Sequence, residues 1–203
     1  MERSLHVSER IARLARTTNE TDIELSLDLD GAGTADVETG IGFFDHMLTA
    51  FGRHGLFDLS VRAAGDLEVD GHHTVEDVGI VMGQAFAQAL GDKRGIRRYG
   101  DIALPMDEAL IQAAVDISGR GALYWDAQVP AVMVGAFDAT LAKEFFIAFA
   151  ANAGVTLHVR ELAGENTHHV IEGMFKAVAR AMRQACEPDP RMGDALPSTK
   201  GAL

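Results

Sequence analysis

The feature that most constrains this chain is that its second half repeats its first. The string His72-His-Thr-Val-Glu76 recurs as His168-His-Val-Ile-Glu172, 96 positions later. The run behind it recurs as well, with Ala85, Gln88 and Ala89 matched by Ala181, Gln184 and Ala185. Upstream, His46-Met-Leu-Thr-Ala-Phe51 matches Glu144-Phe-Phe-Ile-Ala-Phe149. Each leads through a glycine, Gly55 or Gly154, to Val61-Arg62 or Val159-Arg160. Earlier still, Glu24-Leu-Ser-Leu-Asp-Leu-Asp-Gly31 has the rhythm of Gln112-Ala-Ala-Val-Asp-Ile-Ser-Gly119. Four matches in one order mean a duplication. The fold must then place two copies of one unit about a pseudo-twofold axis.

Each unit reads as strand, strand, helix, strand, helix. Alternating apolar residues ending in a glycine turn mark the first strand of each. The expected elements are 22–30, 34–39, 43–54, 57–63 and 73–90, then 108–117, 121–129, 138–152, 155–161 and 169–186. In 73–90, Val75, Val78, Val81, Met82, Ala85 and Ala89 fall close to helical spacing. A small sheet with two helices on one face is the natural packing of such a unit. The expected fold class is therefore α+β with internally duplicated halves, 1–95 and 96–190, followed by a tail, 191–203.

Composition narrows the function. With 47% apolar residues, a packed core is expected. A formal net charge of −12 repels nucleic acid and anionic lipid, though local cations can still hold a small anion. No apolar run reaches the roughly 20 residues of a membrane span. The single cysteine, Cys186, excludes a disulfide within the chain and fits a reducing compartment. Arg3, Arg10, Arg13 and Arg16 are interrupted by Glu2 and Glu9, so the N-terminus reads as an ordinary polar segment of a cytoplasmic protein.

The repeated motif has the spacing of a metal site. On a helix, His72 and Glu76 share a face, as do His168 and Glu172. His73 and His169 are rotated about 100° away and are free to serve a second ion. The pseudo-twofold suggests an exchange. One site takes His72, Glu76 and His169, with Glu144 from the repeat. The other takes His168, Glu172 and His73, with His46. Mixed nitrogen and oxygen donors without a thiolate favour manganese over a structural zinc site, with iron, cobalt, nickel and catalytic zinc left open. A single His-His pair is usually surface polarity; it is the duplication that argues for metal. His158, in a predicted strand, reads as a core or supporting residue.

With these residues in hand, the chain resembles the imidazoleglycerol-phosphate dehydratases of histidine biosynthesis. The resemblance rests on Arg16-Thr-Thr-Asn-Glu-Thr21, Phe43-Phe-Asp-His-Met-Leu48, Asp70-Gly-His-His-Thr-Val-Glu-Asp77 and Lys93-Arg-Gly-Ile-Arg-Arg-Tyr-Gly100. It extends through Asp116-Ile-Ser-Gly-Arg120, Gly164-Glu-Asn-Thr-His-His-Val-Ile-Glu-Gly173, Phe175-Lys176 and Pro197-Ser-Thr-Lys-Gly201.

The resemblance implies a fold like ribosomal protein S5 domain 2, two manganese ions per active site, and 24 subunits built from trimers with shared sites. It implies loss of water from the glycerol arm of imidazoleglycerol phosphate, giving imidazole-acetol phosphate, with the imidazole ring as electron reservoir. It assigns acid–base work to Glu20, alongside Glu76 and Glu172, and substrate binding to Glu20, Arg98, Arg120, Lys176, Ser198 and Lys200, with the tail closing over the phosphate. Where some members have His, this chain has Glu144; a carboxylate also ligates manganese. Two other readings compete. A dinuclear metal-dependent hydrolase would need no imidazole in its substrate. A non-catalytic metal-binding cage protein would not need Glu20 or the cationic tail.

Overall fold

Alternation along two central strands sets the architecture. In β2 (Thr21–Asp28), Ile23, Leu25 and Leu27 are buried while the residues between them face outward. In β6 (Ala109–Asp116), Ala109, Ile111, Ala113 and Val115 do the same. One face of each sheet is therefore apolar and must be covered. The computed structural model describes residues 10–203. The N-terminal segment read above as polar lies, as far as residue 9, outside the described residues.

The first sheet joins β1 (Ile11–Thr17), β2, β4 (Asp58–Gly65) and β3 (Ala35–Glu38) in the order β1-β2-β4-β3. The second joins β5 (Tyr99–Met106), β6, β10 (Thr156–Ala163) and β7 (Ala122–Asp126) in the order β5-β6-β10-β7. In the first sheet β3 lies parallel to β4, in the second β7 lies parallel to β10, and all other pairs are antiparallel. The helices repeat too: α1 (Gly42–Gly55) and α2 (His72–Leu90), then α3 (Leu141–Ala153) and α4 (Thr167–Cys186). This is an α+β fold with duplicated halves.

The helices of one half pack on those of the other, α1 on α4 and α2 on α3. Their apolar faces meet in an aromatic cluster. Phe44 stands 5.5 Å from Phe145, Phe145 stacks on Phe175 at 5.0 Å, and Phe86 meets Phe149 edge-on at 5.4 Å. All five are fully buried. Truncating any one to Ala removes about 3–5 kcal/mol. Glycine lets α2 and α3 approach: a Cβ on Gly79 would lie 2.8 Å from the Phe145 carbonyl oxygen, and one on Gly83 2.6 Å from that of Phe149.

Three features differ from the sequence expectation. Each half has four strands in its sheet, not three, because β1 and β5 are edge strands. β1 buries only Ala12 fully, and β5 carries Gly100 and Pro105, so neither shows a clean alternation. The expected strand 121–129 stops at Asp126; β8 (Met133–Val134) and β9 (Phe137–Asp138) form a small hairpin before α3. His158 is not in the core. It is exposed on the outer face of the second sheet, stacked on Tyr124 at 4.6 Å, because Leu157 and Val159 take the inward positions.

Candidate metal centre and cationic cluster

Both motif helices start at the same point for the same reason. The Asp70 carboxylate accepts the His72 N–H at 2.7 Å, and the Asn166 side-chain oxygen accepts the His168 N–H at 2.9 Å. An Asx residue two positions before the first His satisfies a free donor of the first turn. Each His-His pair is thereby presented at a helix N-terminus.

At the start of α4 three donors from both halves converge. His46 from α1 meets His168 and Glu172 from α4, with one ligand atom of each within 4.8 Å of the others. The His168 Nε2 lies 3.1 Å from Glu172 Oε2, and the His46 Nε2 lies 3.6 Å from the same oxygen. Phe43 packs edge-on against His168 at 5.0 Å and holds its ring. The other Glu172 oxygen takes the Lys176 ammonium at 2.6 Å. Burial pushes the Glu172 carboxyl up, but Lys176, His46 and His168 outweigh it and leave it below the usual carboxylate range.

The first half holds the same motif more openly. His72 Nε2 lies 3.6 Å from Glu76 Oε2, and the Glu76 side chain is 47% exposed against 9% for Glu172. Glu144 lies on α3 between Leu141, which packs near Gly71, and Phe145, which packs on Gly79. Its neighbours on α3 thus pack on α2 beside the start of that helix. Among the described residues, the group of three potential ligands in mutual reach is the His46, His168 and Glu172 one. Lys176 neutralises Glu172, whereas the matching position beside Glu76 is Ile80 and offers no charge. Behind α2, the buried Asp77 is paired to Arg16 at 2.6 Å and accepts from the Thr21 hydroxyl.

The second His of each pair turns elsewhere. His73 Nδ1 lies 3.0 Å from Asp66, with its Nε2 3.8 Å from Glu20. His169 Nδ1 lies 2.7 Å from Glu108, with its Nε2 3.7 Å from Asp107. Within one chain, His73 and His169 thus stand apart from the opposite half's ligands. The hydrogen bond to Asp66 raises the His73 pKa, and the one to Glu108 raises that of His169. The His169 bond, followed by the Asn166 backbone N–H, holds the Glu108 carboxyl down to about 2. Sequence reasoning missed Asp66, Glu108 and Asp107. They sit in turns; Glu108 is the repeat counterpart of Glu20, 88 positions on, whereas Asp66 and Asp107 have no acidic counterpart at the matching positions, Gly164 and Asn19.

The cations predicted for an anion gather at the far end of α4, Lys176 excepted. Arg98 donates to Asp116 from Nε at 2.7 Å and to the Pro197 carbonyl from Nη1 at 2.8 Å. Arg120, largely exposed, lies 4.0 Å from Asp116. The tail folds back here. The Ser198 hydroxyl donates to the Ala202 carbonyl and accepts the Lys200 N–H, and Leu203 lies against Gly119. The Arg98 N–H reaches the Ala185 carbonyl. At 1.5 Å per residue, Ala185 is roughly 25 Å from His168 along α4. The metal ligands and this cationic cluster are therefore separated within one subunit.

The comparisons with known proteins agree with one another. Residues 39–182 match the family model described as imidazoleglycerol-phosphate dehydratase. The protein of that name from Acidiphilium cryptum is 62% identical over 194 residues, covering 96% of this chain and 99% of that protein. The one from Paracoccus denitrificans is 60% identical over 96% of this chain and 100% of its own length. Among solved structures, the imidazoleglycerol-phosphate dehydratase of Staphylococcus aureus superposes with a TM-score of 0.80 at 40% identity, covering 88% of this chain and 99% of that one. The Pyrococcus furiosus enzyme gives 0.80 at 36%, covering 94% and 100%. The duplicated fold, the paired His-His-x-x-Glu helices and these matches agree: this chain belongs to the imidazoleglycerol-phosphate dehydratase family.

Proposed function

We propose that dehydration of imidazoleglycerol phosphate, the reaction of this family, is carried out here at sites shared between subunits and holding two manganese ions each. The observation that carries this reading is the convergence of His46, His168 and Glu172. Its supporting counterpart is the His72–Glu76 pair. The donors are imidazole and carboxylate without thiolate, a set suited to manganese. The residues that would hold the ions are His46, His72, His73, Glu76, Glu144, His168, His169 and Glu172.

The separation between metal ligands and cations supports sharing. A substrate about as long as a phosphorylated amino acid cannot bridge roughly 25 Å. One subunit would supply the ligands and another Arg98, Arg120, Ser198 and Lys200. Assembly into 24 subunits from trimers, in the cytoplasm, belongs to the same proposal. So does the division of the chain into units 1–95 and 96–190 with a tail, 191–203, closing over the phosphate. Among the described residues, no helix is long and apolar enough to cross a membrane.

When bound, the ions supply Lewis acidity toward the imidazole nitrogens and a substrate hydroxyl. Glu20, beside His73, takes the carbon-bound proton. Glu76 and Glu172 would hold the ions, and the proton taken by Glu20 would leave with the departing hydroxyl as water. Arginine forks and lysine charges grip the phosphate, with Lys176 reaching it from beside Glu172. The test is ketone formation from imidazoleglycerol phosphate, with manganese present and after chelation. Manganese-dependent turnover is expected. Turnover that survives complete metal removal, or metal binding without turnover, overturns the reading.

A further inference from the structure

Each motif's second His is held at Nδ1 by a carboxylate, but the two halves draw it from different places. Glu108 is the repeat counterpart of Glu20, which lies near Nε2 of His73, while Asp66 has Gly164 at its matching position. Asp66 comes from the turn after β4, and Glu108 from the β5–β6 hairpin. In the repeat, neither residue matches the other, yet each makes the same contact with the corresponding ring. Two unrelated positions have arrived at one arrangement. An ionised carboxylate only accepts hydrogen bonds, so the contact places a proton on Nδ1 and leaves the lone pair on Nε2. The carboxylates near Nε2, Glu20 at 3.8 Å and Asp107 at 3.7 Å, are too far to hydrogen-bond it.

We infer that Asp66 and Glu108 are positioning residues that fix the tautomer and ring orientation of His73 and His169, so that each presents Nε2 to a metal ion completed by another subunit. This rests on the metal reading given above. The two residues differ in how many other groups they hold. The Asp66 side chain bonds His73 alone among the described residues, whereas Glu108 also accepts the Asn166 N–H at 2.8 Å and so steadies the loop that caps α4. Asp66 is therefore the cleaner probe. A carboxylate behind a ligating imidazole sharpens its direction and basicity, and losing one typically weakens metal binding about 10–100-fold.

The test uses the full-length assembled protein, stripped by chelation and titrated with Mn²⁺, with free aqueous ion counted by electron paramagnetic resonance. Asp66→Ala is expected to weaken one class of Mn²⁺ site about 10–100-fold and leave the other unchanged. Asp66→Asn, whose amide oxygen still accepts from Nδ1–H, should lose less. Glu108→Gln, which keeps an oxygen for Asn166, should weaken the other class. The melting temperature of the stripped protein should not move with Asp66→Ala. Unchanged affinity in Asp66→Ala overturns the inference, as does a fall in the stripped protein's melting temperature that tracks the affinity. Wild-type protein that takes up no Mn²⁺ overturns the metal reading as well, so the two failures are distinguishable.

Discussion

The two halves carry the same His-His-x-x-Glu helix in different surroundings. In the second half Glu172 is buried, ion-paired to Lys176 and joined by the imidazole of His46. In the first half Glu76 is half-exposed, the position matching Lys176 is Ile80, and the position matching His46 is Glu144. One pole thus offers two imidazoles and a neutralised carboxylate. The other offers one imidazole and an open carboxylate, with Ile80 in place of Lys176. The two copies share a ligand frame, and the residues around it make their charges unequal. A pseudo-symmetric fold does not force chemically equal sites, because ligand identity lies on helix faces while charge and burial come from the neighbours packed against them.

The comparison can be broken most severely at the acid–base position. Glu20 stands near Nε2 of His73, and Asp107, next to Glu20's repeat counterpart Glu108, stands near Nε2 of His169. Glu20→Gln is expected to lower kcat by about 10²–10⁴-fold, and Asp107→Asn by far less. Steady-state kinetics with imidazoleglycerol phosphate decides this, and comparable losses would mean that the halves share the proton work.

The next effect is on stability. Glu172→Gln leaves the half-buried Lys176 ammonium without its partner and should cost about 3 kcal/mol. Glu76→Gln, at an exposed site, should stay within about 0.5 kcal/mol. Denaturant unfolding of the metal-stripped protein measures both, and equal losses would contradict the difference in burial. The smallest effect is at the ligand that breaks the symmetry. Glu144→His makes the first pole resemble the second and should shift its preference from manganese toward zinc or nickel by about ten-fold. Competition between Mn²⁺ and Zn²⁺ during reloading reads this out, and an unchanged ratio would argue against Glu144 as a ligand.

Much of the fold was legible because its repeating unit is local. The alternation of Ile23, Leu25 and Leu27 and of Ile111, Ala113 and Val115 marks two strands that bury one face. The helix α2 announces itself by apolar periodicity, and α4 by the repeat of its His-His-x-x-Glu motif. The edge strands β1 and β5 did not stand out, since an edge strand with one open face needs few apolar residues. At the site, the pairs His72–Glu76, His168–Glu172 and Glu172–Lys176 follow from helical spacing alone. Asp66 and Glu108 carry no such signal, because turns from other parts of the chain bring them to His73 and His169.

By itself, the sequence determined the duplication, the order of donors on each helix and the family, since these depend on spacing along the chain and on long ordered motifs. Tertiary packing decided that Glu172 is covered while Glu76 is open, that His46 closes on its pair, and that a separate carboxylate backs each second His. It also set the cationic cluster roughly 25 Å from the ligands of the same chain. These outcomes depend on where distant segments meet in space, and a periodic pattern read along one chain holds no information about that distance.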